Sequence, residues 1–367
     1  MQNTLFSSDS YYSPKWYIFK NSELGRIHDC IDWDNLVALL PKKKTLRGAP
    51  SWLPLKGLFG MMFLKHYTGL SDQKLLDRFN TDWAMQLFCG TLLHDNESIK
   101  NNSFVSKVRS YLGRHVDMQA VQKVLISNWK KEIPDKNVLL MDATCYEVHM
   151  RFPTDVKILW ESCQWIWERQ VPALCKLHDI RQPRSKYKEQ KKKNNVYSKQ
   201  RKKSYRKTKT RRGALLKLLL KGIDSYQNLL NQVKAIGLSD KDATTFKTIK
   251  MLYQQQYHHF HYPKVKIKER IVSIYKPYIR PIVRGKENKS VEFGLKVHKI
   301  QVGGVSILEH VSYKAFNECK RHKISTLKHK NLFESCSHLA GDAIYATNEN
   351  RKFTTKEKIT TNFVRKG

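Results

Sequence analysis

Val138-Leu139-Leu140-Met141-Asp142-Ala143-Thr144-Cys145-Tyr146-Glu147, with Asn137 before it and Val148 after it, decides how the rest of the chain is read. Four apolar residues run directly into an acid, and β-prone residues follow. A short continuous apolar run bounded by charge reads as a buried strand. Asp142 then emerges from the middle of a sheet, where a carboxylate is costly unless a metal or a donor pairs with it. His338-Leu339-Ala340-Gly341-Asp342-Ala343-Ile344-Tyr345 repeats the arrangement much later. The two acids lie 200 residues apart (342 minus 142), and together they suggest one metal site assembled by folding.

Composition says what such a site would work on. The chain has 367 residues, enough for about two domains with ample core. Its 68 Lys+Arg against 32 Asp+Glu give a formal net charge of +36, far beyond what solubility needs. Such an excess implies a polyanionic partner, nucleic acid first and an anionic membrane surface second. The 40% hydrophobic content and 8 Trp argue for folded domains over a purely structural basic protein of ribosomal or packaging type. The 7 cysteines are odd in number and form no C-x-x-C pair, as expected of free thiols in a reducing cytoplasm. Met1 to Ser10 is polar and has no basic n-region, so no signal peptide is expected. Gly57 to Leu64, the most apolar membrane candidate, is far shorter than the roughly 20 residues a span requires. A soluble protein with no membrane partner follows.

In chain order, Tyr11, Tyr12, Trp16, Tyr17 and Phe19 suggest an irregular aromatic arm. Asn21 or Ser22 caps a helix carrying Leu24, Ile27 and Ile31, and Asp34 starts another that Pro41 stops. Lys42, Lys43, Lys44 and Arg47 form a basic loop. From Pro54 the pattern is strongly helical up to Gly69, and Ser71 caps the next helix, with Leu75, Leu76 and Phe79 on one face. Trp83 to Phe88 and Phe104 to Leu112 read as two more helices. This set is compatible with a helix-turn-helix DNA reader and equally with an ordinary helical bundle.

Beyond the Asp142 strand, Pro153-Thr154-Asp155 opens a helix whose Val156, Leu159, Trp160, Cys163, Ile166 and Trp167 form a core stripe. Arg181 to Arg212 then holds 16 Lys/Arg and one acid, Glu189, with Tyr187, Tyr197 and Tyr205 interleaved. Such a block repels itself and forms no core alone. It reads either as a solvated linker or surface helix, or as an arm that tracks DNA phosphates through Arg201, Lys202, Lys203, Arg206, Arg211 and Arg212. Leu216, Leu219, Ile223, Tyr226, Leu230 and Val233 make a short seam, Gly237 breaks it, and Phe246, Ile249 and Tyr253 begin a return helix. The hairpin packs on its host or on a second protomer. His258, His259 and His261 precede Pro263 without a Cys or carboxylate to complete a metal set. Val291, Phe293, Leu295 and Val297 alternate with polar residues as a half-buried strand, Gly303-Gly304 makes a turn, and Val305 to Val311 is its hairpin partner. Phe316 to Leu327 reads as helical, Ser337 to Ala343 as a strand, and Thr360 to Val364 as a last short strand.

Val138 to Thr144, then Arg284-Gly285-Lys286 with Val291-Glu292-Phe293-Gly294-Leu295-Lys296, then Gly341-Asp342-Ala343-Ile344-Tyr345-Ala346-Thr347-Asn348-Glu349-Asn350-Arg351 resemble, in this order, bacterial insertion-sequence transposases of the DDE superfamily. Leu53 to Gly90 is similar to the helical domain that accompanies them. The resemblance implies a mixed α/β fold: a helical N-terminal DNA-binding domain over residues 1–135 and an RNase H-like mixed-sheet domain over 136–367. A basic helical insertion would occupy about Thr154 to Lys276, between the first two strands. Asp142 would be the first acid, on the first strand, and Asp342 the second, at the end of the fourth. Together they would bind two Mg²⁺ ions. Lys296, Arg351, Arg284 and Lys286 would contact phosphate. Implied partners are double-stranded DNA (terminal inverted repeats and target) and other copies of the chain, in the bacterial cytoplasm at the nucleoid. The family's third acid, a Glu on a later helix, is not reached by Gly367; Glu349 and Glu357 come too early, and Glu147 belongs to a different position. The expected domain therefore lacks its C-terminal end, and little transposition is expected of this chain alone. A non-catalytic DNA-binding remnant that occupies element ends or inhibits full-length transposase is the alternative; a structural RNA-binding protein is a weaker third.

Overall fold

The computed structural model describes residues 14–41, 51–94, 96–233, 239–286 and 289–364, with the side chains of 284–290 left out. Tyr11, Tyr12, the basic loop from Lys42 to Arg47, and Gly237 lie outside the described residues. The chain divides into two compact units, one of residues 1–141, 299–308 and 319–367, the other of 142–298 and 309–318.

Among the described residues the first unit begins with eight helices: α1 (Pro14–Asn21), α2 (Glu23–Asp29), α3 (Trp33–Ala38), α4 (Leu55–Thr68), α5 (Asp72–Thr81), α6 (Trp83–Phe88), α7 (Phe104–His115) and α8 (Met118–Trp129). Local chemistry sets their ends. Ser22, Ser71 and Asp82 each accept a backbone N–H in the first turn that follows, a cap worth about 0.5–2 kcal/mol. Gly69 closes α4 in the left-handed conformation at φ 64. Residues 14–21 are helical rather than an irregular arm, because Trp16 and Phe19, three apart, turn inward together. The cap of α3 is Asp32 and not Asp34, and α8 carried no expectation. Leu64, Leu75, Phe79, Met85 and Phe88 form the core of this helical layer.

The strands follow: β1 (Val138–Glu147), β2 (Pro281–Lys286), β3 (Lys289–Val302), β4 (Val305–Ser312), β5 (His338–Gly341) and β6 (Thr360–Thr361). They form one sheet in the order β2-β3-β1-β5-β6, with β4 also on β3. β2 and β3 are antiparallel, whereas β1 with β5 and β5 with β6 are parallel, so the sheet is mixed as expected. Gly303 and Gly304, at φ 50 and φ 84, make the β3–β4 turn. At Gly294 a Cβ would stand 2.1 Å from the Tyr146 carbonyl oxygen, so this crossing of β3 past β1 admits only glycine. In the first unit α14 (His322–Phe333) and α15 (Asn348–Lys356) accompany the strand ends, and Leu139, Met141, Ile300, Ile307, Phe333 and Leu339 share a core.

The second unit contains the insertion between β1 and β2: α9 (Asp155–Gln164), a π-helical turn (Trp165–Gln170), α10 (Val171–Leu177), α11 (Tyr187–Lys199), α12 (Tyr205–Gln232) and α13 (Asp240–His261). Thr154 caps α9 through the Lys157 N–H, as its sequence suggests. Leu216, Leu219, Ile223, Tyr226 and Leu230 are all buried, in one core with Leu159, Ile166, Phe246 and Ile249. The seam of α12 therefore packs on its own unit. Each such side chain taken from water contributes about 1.5–3 kcal/mol, which is what holds two long helices together under so much charge. The most basic segment is largely helical, and Tyr187 anchors it by stacking on Trp160 at 5.4 Å.

β3 departs from the expected half-buried pattern: Glu292, Lys296 and His298 are buried as well as Phe293 and Val297. Both faces are covered, and the polar face is made tolerable by pairing. His298 Nδ1 stands 3.1 Å from Glu309 Oε2, and Lys296 Nζ 2.8 Å from Glu318 Oε1.

Candidate functional site

The two aspartates are placed by one strand pair. β1 and β5 run parallel in the register Val138↔His338, Leu139↔Leu339, Leu140↔Ala340 and Met141↔Gly341. Asp142 and Asp342 are each the next residue. Along β1, Leu139, Met141 and Ala143 are buried while Leu140 and Asp142 are exposed. The four-residue apolar run is thus not buried on both faces; period-two alternation opens one face, and Asp142 stands on it.

Asp342 ends β5 differently. It precedes the 3₁₀ turn Ala343–Tyr345, and its carbonyl accepts the Tyr345 N–H at 3.0 Å. Its carboxylate is exposed and caps nothing in that turn. The residue before it is held tightly. The Gly341 N–H donates to Asn362 Oδ1 and the Gly341 carbonyl accepts from Asn362 Nδ2, both at 3.2 Å. The Asn362 amide thus stands in for a neighbouring strand. The Tyr345 ring lies against Gly341, where a Cβ would approach it to 2.9 Å. Asn362 and Gly341 were not singled out from the sequence; an Asn after two threonines carries no such signal.

The expected phosphate-contacting side chains divide sharply. Arg201, Lys202, Lys203 and Arg206 are exposed. Lys203 lies 5.6 Å from the Tyr197 ring centroid. Arg211 is buried, donating to the Gln190 carbonyl at 3.3 Å, and burial holds its pKa below the usual value. Arg212 sits 3.5 Å from Asp155, which also receives Arg270 at 2.6 Å. Lys296 donates to the Phe316 carbonyl at 2.9 Å besides pairing with Glu318. Arg351 donates to the carbonyls of Ala346, Phe363 and Val364, tying α15 to the segment after β6. The backbones of Arg284 and Lys286 belong to β2, and their side chains lie outside the description.

Of the three clustered histidines, His259 approaches Asp155 at 4.0 Å, and burial lowers its pKa. Among the described residues no group of three or more His, Cys, Asp or Glu side chains gathers at metal-binding distance. Glu357 is paired with Lys330 at 2.6 Å. Among the described residues, no helix is long and apolar enough to cross a membrane.

Residues 15–111 match a family described as Transposase domain (DUF772). No curated protein and no solved structure matches the chain. The match spans the helical layer from α1 into α7 and supports a transposase.

Proposed function

We propose that the chain is a DDE-type DNA transposase and that Asp142 and Asp342 are two of its catalytic carboxylates. The observation that carries this reading is the parallel register that ends at Met141↔Gly341, one residue before each acid. β1 is the first described strand and β5 the fifth, one later than the fourth-strand position that the resemblance implies for the second acid; β5 nonetheless lies directly beside β1.

The donor set fits Mg²⁺. Both carboxylates are exposed hard oxygen donors, and Mg²⁺ keeps several waters while taking one or two protein acids plus substrate phosphates. Bound there, it would supply Lewis-acid stabilisation of a leaving oxygen and an activated water or DNA 3′-hydroxyl. Asp142 and Asp342 would hold the ion through their carboxylate oxygens. Asn362 fixes the backbone from which Asp342 projects. Arg201, Lys202, Lys203 and Arg206 draw the DNA backbone by counterion release, and Arg284 and Lys286 add to this. Lys296 and Arg351, satisfied by internal partners, hold the fold instead. The partners are terminal inverted repeats, target DNA and other copies of the chain, and no covalent protein–DNA intermediate forms.

Nicking of supercoiled DNA carrying the element's ends, with Mg²⁺, tests the assignment. Asp142→Asn and Asp342→Asn each lower nicking by at least about a hundredfold while DNA affinity is retained. Undiminished nicking in either variant overturns the assignment. DNA binding without nicking by the unaltered chain favours a non-catalytic occupant of element ends.

A further inference from the structure

The hairpin of α12 and α13 carries a groove of about 840 Å³, to which the catalytic reading assigns a role at Arg206 alone. Two kinds of side chain line it. Arg206, Lys209 and Lys217 come from α12, and Tyr253, Tyr257 and His261 from α13. Among the described residues no carboxylate lines it. Leu216 and Phe260 give it an apolar floor, and Gly213 lets the helices close there: a Cβ would stand 3.2 Å from Phe260 Cζ.

The aromatic side is ordered. Tyr253, Tyr257 and His261 recur every four residues and so share one face of α13. Their ring centroids are 5.8 Å and 4.4 Å apart in succession. Tyr257 is 50% exposed and Tyr205, at the mouth, 73% exposed. Leaving the Tyr257 and Tyr205 rings in water is unfavourable, and among the described residues of this unit nothing buries them. An occupant must therefore be anionic and carry flat apolar groups.

We propose that this groove binds single-stranded DNA, with unpaired bases against Tyr257 and its neighbours and phosphates along Arg206, Lys209 and Lys217. Duplex bases are hidden in their own stack, so only unpaired ones reach a ring, whereas cations alone would serve either form. The proposal does not depend on Asp142 or Asp342, and its failure would leave the nicking assignment untouched.

The test uses the full chain and a labelled oligothymidylate of about 12 nucleotides, within the range one such site covers. Fluorescence anisotropy compares it with a duplex and with oligouridylate, and 2-aminopurine in the strand reports stacking. Tyr257→Ala is expected to weaken single-strand binding at least about fivefold and to abolish 2-aminopurine quenching, with duplex affinity unchanged. Tyr257→Phe keeps both. Lys217→Gln lowers single-strand affinity and its salt dependence but leaves quenching at saturation. Tyr257 is half exposed, so an unchanged thermal midpoint is expected of these variants. The proposal is overturned if the unaltered chain does not bind the single strand, if Tyr257→Ala changes neither affinity nor quenching, or if duplex affinity falls as much. Tighter binding of oligouridylate than of the DNA strand also overturns it.

Discussion

Lys296 and Arg351 in the strand-bearing part of the chain and Arg201, Lys202, Lys203 and Arg206 in the helical insertion look alike in sequence and behave oppositely in the fold. In the first, Lys296 is buried against Glu318, and Arg351 is spent on three carbonyls. In the second, Arg201, Lys202, Lys203 and Arg206 stand in solvent. The cause is the surface each backbone presents. β3 is covered on both faces, so any charge on it must be paired. α11 and α12 bury one stripe each and leave the opposite face to water. A net charge of +36 therefore does not measure how much cation is available to a polyanion.

Lys296→Met should separate the two roles most strongly. It leaves the half-buried Glu318 carboxylate without this partner and the Phe316 carbonyl without its donor, and a loss of about 1–3 kcal/mol in denaturant unfolding is expected. The salt dependence of DNA binding should stay the same; a reduced slope with unchanged stability would put Lys296 among the DNA contacts.

Acid acts on the strand side too. His322 and His329 on α14 are fully buried, and desolvation pulls both pKa values from 6.5 down to about 4. The unfolded chain takes up these protons first, so stability is full above pH 6.5 and falls as pH drops toward 4. Between pH 7 and pH 5 the loss should be about 2 kcal/mol per histidine. His322→Gln should flatten that dependence, and unfolding curves at the two pH values check it.

The smallest stability effect belongs to the insertion. Replacing Arg201, Lys202, Lys203 and Arg206 together by Gln should change stability by less than about 0.5 kcal/mol. The slope of log affinity against log salt on duplex DNA should fall by about 0.9 for each cation that contacts phosphate. An unchanged slope would move the DNA track elsewhere.

Much of the fold could be read from residues alone where a local rule operated. Ser71 caps the helix that it was expected to cap, Ser22 is the cap of the pair Asn21 or Ser22, a helix opens at Pro153-Thr154-Asp155, and Trp83–Phe88 appears with its expected bounds. Local rules failed where distant packing decided. The alternation in β3 signalled one wet face, yet Glu309 on the neighbouring β4 and Glu318 beyond it complete a covered polar one. Arg211 and Arg212 belong to a basic run in sequence but turn toward Gln190 and Asp155 in space. The aspartates were legible as a pair of strand-end acids. Their register, and the Asn362 amide that secures Gly341, were not, because neither follows from any periodicity.

Whether Asp142 and Asp342 hold one metal is tested most directly by cutting the chain with it. Fe²⁺ replaces Mg²⁺ at oxygen-donor sites, and with ascorbate and peroxide it cleaves polypeptide near where it is bound. Cuts near residue 142 and near residue 342 are expected together, suppressed by excess Mg²⁺ and lost together in either Asp142→Asn or Asp342→Asn. Cuts at only one of the two segments, or variants that each remove only their own cut, would contradict a shared site.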